Sequence, residues 1–173
     1  MAFHLIEPAT DMLQTYITAN IEAALASIRA SRNSVQNLGI PTPEFREYFI
    51  ARNYSALQVP ALFIVCDDVD FKKSQRGANF IDATAHYTFA AVSEAQTNAL
   101  VARATWRYQA ALAQILDNLT LTASDKAFTI KVIVRNADFS EEYDVSTQGT
   151  NPAKRWRKEV HLKCDVEFWE QLS

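Results

Sequence analysis

The sequence predicts an α+β fold in which an N-terminal helix and a long central helix pack on one face of a mainly antiparallel sheet of about four strands. Two segments repeat apolar residues at helical spacing, and four others alternate apolar and polar residues or form short apolar runs. Their order along the chain is helix, two strands, helix, two strands. At 173 residues, with 49% apolar and 21% charged residues, the chain has the size and composition of a single globular domain, residues 1–173.

The first predicted helix covers residues 11–32. Polar residues occupy the side opposite its apolar stripe, which is typical of a helix that packs against a core. Thr10 follows Pro8 closely and is the predicted N-cap. The apolar stripe consists of Leu13, Ile17, Ile21, Leu25 and Ile28.

The second predicted helix covers about residues 94–118. Ser93 is followed three residues later by Gln96, and this spacing predicts a capping box at the N-terminus of the helix. Its apolar stripe consists of Leu100, Val101, Ala104, Tyr108, Ala111, Leu112 and Ile115.

Two strands are predicted between the helices. Residues 61–66 form an apolar run that indicates a buried strand, and residues 81–92 alternate, which places His86 on a polar face. Residues 67–80 are predicted to be the loop between these strands. Residues 45–57 fit either a short helix or a strand.

Two further strands are predicted after the second helix, in "FTIKVIVR" and "RWRKEVHLKCDVEFW". In the first, Phe128, Ile130, Val132 and Val134 lie on one face. In the second, one face carries Trp156, Val160, Leu162, Cys164, Val166 and Phe168. The intervening "NADFSEEYDVSTQGTNPAK" contains turn-forming residues and is predicted to be a long hairpin excursion.

Composition and charge argue against several functional classes. A net charge of −3 gives no general attraction to nucleic acid, and three glycines are few for a phosphate-binding loop. No window approaches eighteen apolar residues, and the N-terminus lacks a signal-peptide pattern, so we expect no membrane association. Cys66 and Cys164 lie in apolar strands and are predicted to be free thiols of a reducing compartment.

The aspartates after the first strand raise the question of catalysis. An apolar strand followed by Asp68-Val69-Asp70 has the shape of a metal-dependent phosphatase site. That chemistry also needs a further carboxylate, usually beside a glycine, and the chain contains no Gly-Asp dipeptide. A calcium loop fails because Lys72 stands where the third oxygen ligand belongs. We therefore expect no catalytic residue, metal or cofactor.

The basic run "KRWRK", residues 154–158, favours a protein interface over a DNA-binding site. Trp156 shares the parity of the apolar face, which leaves Arg155 and Arg157 on the opposite face. An exposed face with arginine and aromatic side chains is typical of protein-binding surfaces.

The order of elements resembles the tail terminator (tail completion) proteins and related neck proteins of long-tailed bacteriophages. The resemblance covers roughly residues 10–170. An N-terminal helix leads to "VPALFIVCDDVDF" and a polar loop, and the strand "ATAHYTFAAVSEA" passes directly into the helix "ALVARATWRYQAALAQILDN" before two final strands.

The resemblance implies a structural virion protein rather than an enzyme. Such proteins form homo-oligomeric rings, usually hexameric, that bind the tail tube protein, stop tube polymerisation and present a surface to the head–tail connector. Genomic DNA passes through the lumen without specific binding. The expected location is the virion tail or neck, with the host cytoplasm as the site of assembly and no membrane partner.

Two charged segments are the predicted contact surfaces of such a ring. The loop 67–80 begins acidic and continues basic, so neighbouring copies could pair one end with the other. The predicted subunit interface comprises Asp67, Asp68, Asp70, Lys72, Lys73, Arg76, Arg155 and Arg157. The acidic stretch 138–144 is predicted to face a basic partner or the lumen through Asp138, Glu141, Glu142 and Asp144.

Two alternatives stay open. One is another virion role, such as a different neck, connector or baseplate component. The other is a small cytoplasmic α+β enzyme or ligand-binding module, whose site would assemble from dispersed residues with Asp68, Asp70 and His86 as its polar cluster.

Overall fold

The computed structural model describes residues 6–33, 47–49, 59–72, 80–123, 128–145 and 155–171. Two helices are present in these ranges, α1 (Ile6–Asn33) and α2 (Asn98–Leu116). The four long strands are β2 (Ala61–Lys72), β3 (Phe80–Ala95), β5 (Phe128–Phe139) and β7 (Trp156–Gln171). The three short strands are β1 (Glu47–Phe49), β4 (Thr120–Thr122) and β6 (Tyr143–Asp144).

All seven strands belong to one sheet with the order β1-β2-β3-β7-β5-β4, and β6 pairs with β7 beyond the end of β5. The four long strands are antiparallel to their long neighbours, and β1 is parallel to β2. The predicted α+β class is therefore confirmed, with four long strands as expected and three short ones added. Of the ambiguous segment 45–57, the structure describes only β1.

Both helices pack on one face of the sheet, which we call the helix face. The helices contribute their apolar stripes, and the strands contribute every second residue, as the pleat requires. Tyr87 joins the layers, because its buried hydroxyl hydrogen-bonds the hydroxyl of Thr10 on α1 at 2.9 Å. Large side chains fully buried there include Leu13, Ile17, Leu25, Phe89, Leu112, Leu116 and Phe168. Burying each such side chain contributes about 1.5–3 kcal/mol.

The predicted N-cap of α1 is wrong. Thr10 lies inside the helix, and its hydroxyl donates to the carbonyl of Ile6 at 2.7 Å. The helix extends further toward the N-terminus because Ala9 and Leu13 both bury against the sheet, so the apolar face continues past the predicted start.

The predicted capping box of α2 is also wrong. Ser93 belongs to β3, which continues to Ala95 because it pairs with β7 along its whole length. The Ser93 hydroxyl hydrogen-bonds the hydroxyl of Thr105 on α2 at 2.7 Å. The N-cap is Thr97, whose hydroxyl accepts a hydrogen bond from the backbone nitrogen of Leu100 at 3.2 Å.

The predicted start of the loop 67–80 needs correction. β2 continues through the three aspartates to Lys72, which pairs with Asp82 of β3. Its burial falls along its length, because residues 61–64 are buried whereas most of residues 67–72 are exposed. A strand needs backbone pairing rather than apolar side chains. The change to polar residues therefore marks the point where side chains are no longer buried, and the strand itself continues.

Candidate functional site

The face of the sheet opposite the helices, here called the polar face, carries most of the charged side chains of the long strands. They alternate with the apolar residues of the helix face, so their position follows from the strand period. A small apolar cluster of Ala61, Phe63, Ala90 and Val92 occupies this face where β1 pairs with β2. Beyond that cluster the face is polar, and its ion pairs cross from strand to strand.

One side-chain cluster, centred on a histidine, links four strands on the polar face. His86 of β3 places its Nδ1 atom 2.8 Å from Oδ1 of Asp165 on β7. Its Nε2 atom lies 3.4 Å from Oδ2 of Asp70 and 3.8 Å from Oδ1 of Asp68, both on β2. The other oxygen of Asp165 accepts hydrogen bonds from the guanidinium of Arg135 on β5. We call these five residues the His86 cluster.

Two β-bulges create this arrangement. Cys66 pairs with Tyr87 and Asp68 pairs with His86, so Asp67 is an additional residue in β2. As a result Asp67 and Asp68 reach the same face although they are adjacent in sequence. Asp67 accepts a hydrogen bond from the Thr88 hydroxyl at 2.5 Å while Asp68 faces His86.

The second bulge lies in β5 between Val134 and Asn136, and it leaves Arg135 as the additional residue. This bulge directs the guanidinium toward Asp165, which lies on the neighbouring strand β7. The cluster therefore depends on two β-bulges, one in β2 and one in β5, which are the strands on either side of the central pair β3 and β7.

The cluster perturbs the ionisation of its members in opposite directions. The hydrogen bond that His86 donates to Asp165 is the largest influence on the pKa of His86 and raises it, with smaller contributions in the same direction from Asp70 and Asp68. Burial of Asp165 favours its neutral form, but the hydrogen bonds from Arg135 and His86 outweigh burial and lower its pKa. Both shifts favour the ion pair between a protonated His86 and an ionised Asp165.

A second group of charges surrounds Glu94 near the end of β3. Arg157 donates from Nε to Glu94 at 2.7 Å, and Arg155 lies 3.6 Å from the same carboxylate. Arg157 is mostly covered, with 20% of its side chain exposed, whereas 62% of the Arg155 side chain is exposed. Of these two predicted interface residues, Arg155 therefore presents more of its side chain to solvent.

The acidic stretch 138–144 is more ordered than the predicted excursion. Asp138 belongs to β5, and its Oδ2 atom forms an ion pair with Nζ of Lys163 on β7 at 2.7 Å. Glu142 accepts from the buried Lys158 at 2.6 Å, and Asp144 belongs to β6, which pairs with β7. Glu141 is exposed. Two of the four predicted acidic residues thus have lysine partners within the chain.

The structure places the predicted interface residues in two separate regions. Asp67, Asp68, Asp70 and Lys72 lie in residues 67–72, which we call the outer half of β2, while Arg155 precedes β7 and Arg157 lies at its start, where it pairs with β6. Lys73 and Arg76 lie outside the described residues.

Sequence reasoning missed Asp165 and Arg135, the two residues that complete the His86 cluster. Asp165 has the polar-face parity of its strand, so the alternation of "HLKCDVEF" was a usable signal. Its contact with His86 required the pairing register of β3 and β7, which a single sequence does not specify. Arg135 depends on the bulge and had no such signal.

The chemistry of the described contacts is that of ion pairing. His86 directs its Nε2 atom at carboxylates, so the His86–Asp165 pair has no hydroxyl or thiol to activate in these contacts. Burial raises the pKa of the Cys66 thiol to about 11, and that of Cys164 to about 12, so both free thiols stay protonated near neutral pH. Within the described ranges, no group of histidine, cysteine or carboxylate side chains is suited to hold a metal ion. No helix there is long and apolar enough to cross a membrane.

Comparisons with known proteins give little direct information. No protein-family model matches the chain, and no curated protein matches it significantly. Among solved structures, a chain of the "Virion of native gene transfer agent (GTA) particle" is similar at 15% sequence identity and a TM-score of 0.30, over 89% of this chain and 96% of that chain. A TM-score this low does not establish a common fold, so we base no functional conclusion on it.

Proposed function

We propose that this chain is a structural virion protein that forms a ring at the head-proximal end of a phage-type tail tube. The observation that carries the proposal is the order of the long elements, α1, β2, β3, α2, β5, β7, with both helices on one face of the sheet. This is the order on which the resemblance to tail terminator proteins rests. In this role the chain ends tube polymerisation and joins the tail to the head connector.

A ring of identical subunits needs two different surfaces that bind each other head to tail. A stable interface of this kind buries about 800 Å² on each partner. The outer half of β2 offers exposed carboxylates, since 73% of the Asp68 side chain and 76% of the Asp70 side chain are accessible. Arg155 offers an exposed cation elsewhere on the same chain. We propose that these two regions meet between neighbouring subunits.

The proposed partners follow from the same role. They are further copies of this chain, usually six in total, the tail tube protein and the head–tail connector. DNA passes through the lumen without specific binding. Glu141, exposed between β5 and β6, is the acidic residue best placed to face a partner or the lumen, because Asp138 and Glu142 already have lysine partners within the chain.

The decisive experiment combines the purified protein with tail tubes and measures tube length by electron microscopy. The proposal predicts that added protein caps the tubes and gives them one uniform length. Tubes that keep a broad length distribution at saturating protein would refute tail termination. Mass measured in the presence and absence of tubes separates this failure from failure to form a ring, because some ring proteins stay monomeric until they meet the tube.

A second candidate function has one observation in its favour. The structure brings together Asp68, Asp70 and His86, the three residues that the enzyme or ligand-binding alternative requires. Titration calorimetry with Mn²⁺ and Zn²⁺ tests this alternative directly. These side chains are not arranged to hold a metal ion in the described structure, so the ring proposal expects no stoichiometric binding. Stoichiometric binding that is lost in Asp68→Asn/Asp70→Asn would instead favour a metal-dependent site.

A further inference from the structure

His86 has an acidic partner on each side. Asp165 lies against Nδ1 from β7, and Asp68 and Asp70 lie against Nε2 from β2. A neutral imidazole carries one N–H donor and one lone pair, whereas the imidazolium carries two N–H donors. Only the protonated ring can therefore donate toward both strands at once.

The other groups around His86 determine what remains when it loses its proton. On β7, Asp165 is flanked on the same face by Lys163, which pairs with Asp138, and by Glu167, which pairs in register with Lys131. On β5 the facing cation is Arg135, which is bound to Asp165. On β2 the same face carries Asp67, Asp68 and Asp70, followed by Lys72, which pairs in register with Asp82 of β3. On β3 itself the nearest neighbours on this face are Thr84 and Thr88.

The two sides of His86 differ in what holds their carboxylates when the ring loses its proton. Asp165 keeps Arg135 as a cationic partner whatever the state of His86. For Asp68 and Asp70, His86 is the cationic partner among the described contacts. Loss of the proton therefore acts mainly on β2, where two carboxylates then stand beside a ring that carries no charge.

We propose that His86 is a proton-operated clamp. In its charged form it holds residues 68–72 of the outer half of β2 against β3, and on deprotonation it releases them. This segment is at the exposed end of its strand, and within the described ranges residues 64–72 pair only with β3. Local opening occurs most easily where few buried apolar contacts hold a segment. The clamp does not depend on the ring. Its effect on assembly, through Asp68 and Asp70, rests on the proposed function.

The direction of the pH dependence follows from linkage. Because the pKa of His86 is raised above its unfolded value of about 6.5, its stabilising contribution is fully present below about pH 6.5 and is lost as the pH rises through the folded pKa. The lowered pKa of Asp165 has the opposite sign, so its contribution is lost as the pH falls through that value. The clamp is therefore closed in mildly acidic solution and opens on the alkaline side.

The test is an NMR titration of the wild-type protein that follows the His86 imidazole and the backbone amides together. We expect a His86 midpoint above the ordinary histidine value. Across that midpoint, the amides of residues 68–72 that hydrogen-bond β3, which are every second one along this edge strand, should lose exchange protection several-fold after correction for intrinsic rates. Protection in the centre of β3, at Phe89 and Ala90, should stay unchanged. A midpoint at or below the ordinary value, or β2 protection that does not change across it, would overturn the clamp.

Two variants identify the group responsible. His86→Gln keeps a hydrogen-bond donor but does not titrate, so the pH step in β2 protection should disappear. His161→Gln removes a histidine on the same face, paired with Glu159 at 3.1 Å, and should retain the step. A step that survives His86→Gln would contradict the proposal, and if that variant does not fold the wild-type titration still decides. Tube capping that fails while the step is present would refute the proposed function and leave the clamp standing.

Discussion

The two faces of the sheet differ in what holds them together. On the helix face, β2, β3, β5 and β7 bury apolar side chains against α1 and α2. On the polar face, the same strands present carboxylates, lysines and arginines that pair across strands, many of them with exposed side chains. Apolar burial contributes far more per side chain than a surface ion pair, which contributes about 0–1 kcal/mol. The helix face therefore supplies most of the stability, and the polar face can carry a binding function at small cost to the fold.

β2 shows both environments within one strand. Leu62 and Ile64 are buried under the helices, whereas Asp68 and Asp70 are exposed four to eight residues later. The backbone pairing with β3 continues across the change, interrupted only by the bulge at Asp67. The position of a residue relative to the helices, and not its membership in the sheet, therefore determines what its substitution costs.

The largest effect is expected on the helix face. Phe89 is fully buried, and its ring stacks on that of Tyr87 with centroids 6.1 Å apart. Phe89→Ala removes this contact and leaves a cavity, so the free energy of unfolding should fall by about 3–5 kcal/mol in denaturant titrations.

Phe71→Ala is the matched control, because Phe71 is also a β2–β3 phenylalanine but has 55% of its surface exposed. Its unfolding free energy should change by at most about 0.5 kcal/mol. Equal losses in the two variants would show that the helix face is not the main source of stability.

An intermediate effect is expected at Asp165, a well-covered carboxylate of the polar face. Asp165 has 15% of its side chain exposed and accepts from both His86 and Arg135. Asp165→Asn should lower the unfolding free energy at pH 7 by about 1–2 kcal/mol, a range for charged hydrogen bonds that is reduced because both partners are well solvated. It should also lower the His86 titration midpoint, because Asp165 is the largest cause of the raised pKa.

Asp138→Asn provides the comparison at an exposed ion pair. Asp138 and Lys163 each have about half of the side chain exposed, at 52% and 51%. The unfolding free energy of this variant should match that of the wild type within error. If it is destabilised as much as Asp165→Asn, the contrast between covered and exposed pairs on this face is wrong.

The same contrast explains how much of the fold the sequence predicted. Apolar periodicity identified both helices, the four long strands and most of the buried residues of α1, α2, β5 and β7, because burial against a core imposes that periodicity. It failed where burial ends. The outer half of β2 was predicted as loop because its residues are polar, and both N-caps were misplaced because pairing and packing extend the elements past the local signals.

The candidate site was only partly predictable for a related reason. Asp68, Asp70 and His86 were recognised as polar residues that could come together, and the structure places them in contact distance. Asp165 and Arg135 required the β3–β7 register and a bulge in β5. Register and bulges arise from the pairing of distant segments, so local sequence patterns do not determine them.

A small effect on stability, and the largest effect on assembly, is expected from charge reversal in the outer half of β2. In Asp68→Lys/Asp70→Lys both side chains are mostly solvent-exposed, so the unfolding free energy should change by less than about 1 kcal/mol. If these carboxylates contact a cationic surface of the next subunit, ring formation or tube capping should be lost in the same variant.

The matched control reverses two exposed acidic residues of α1, in Asp11→Lys/Glu22→Lys, which makes the same change in net charge on the other side of the sheet. This variant should assemble like the wild type, because a general change in charge acts through solution electrostatics while a contact acts locally. Unfolding of the Asp68→Lys/Asp70→Lys monomer would show that the outer half of β2 belongs to the stable part of the molecule. Loss of assembly in both variants would remove the reason to assign the subunit contact to β2, because net charge alone would then explain the result.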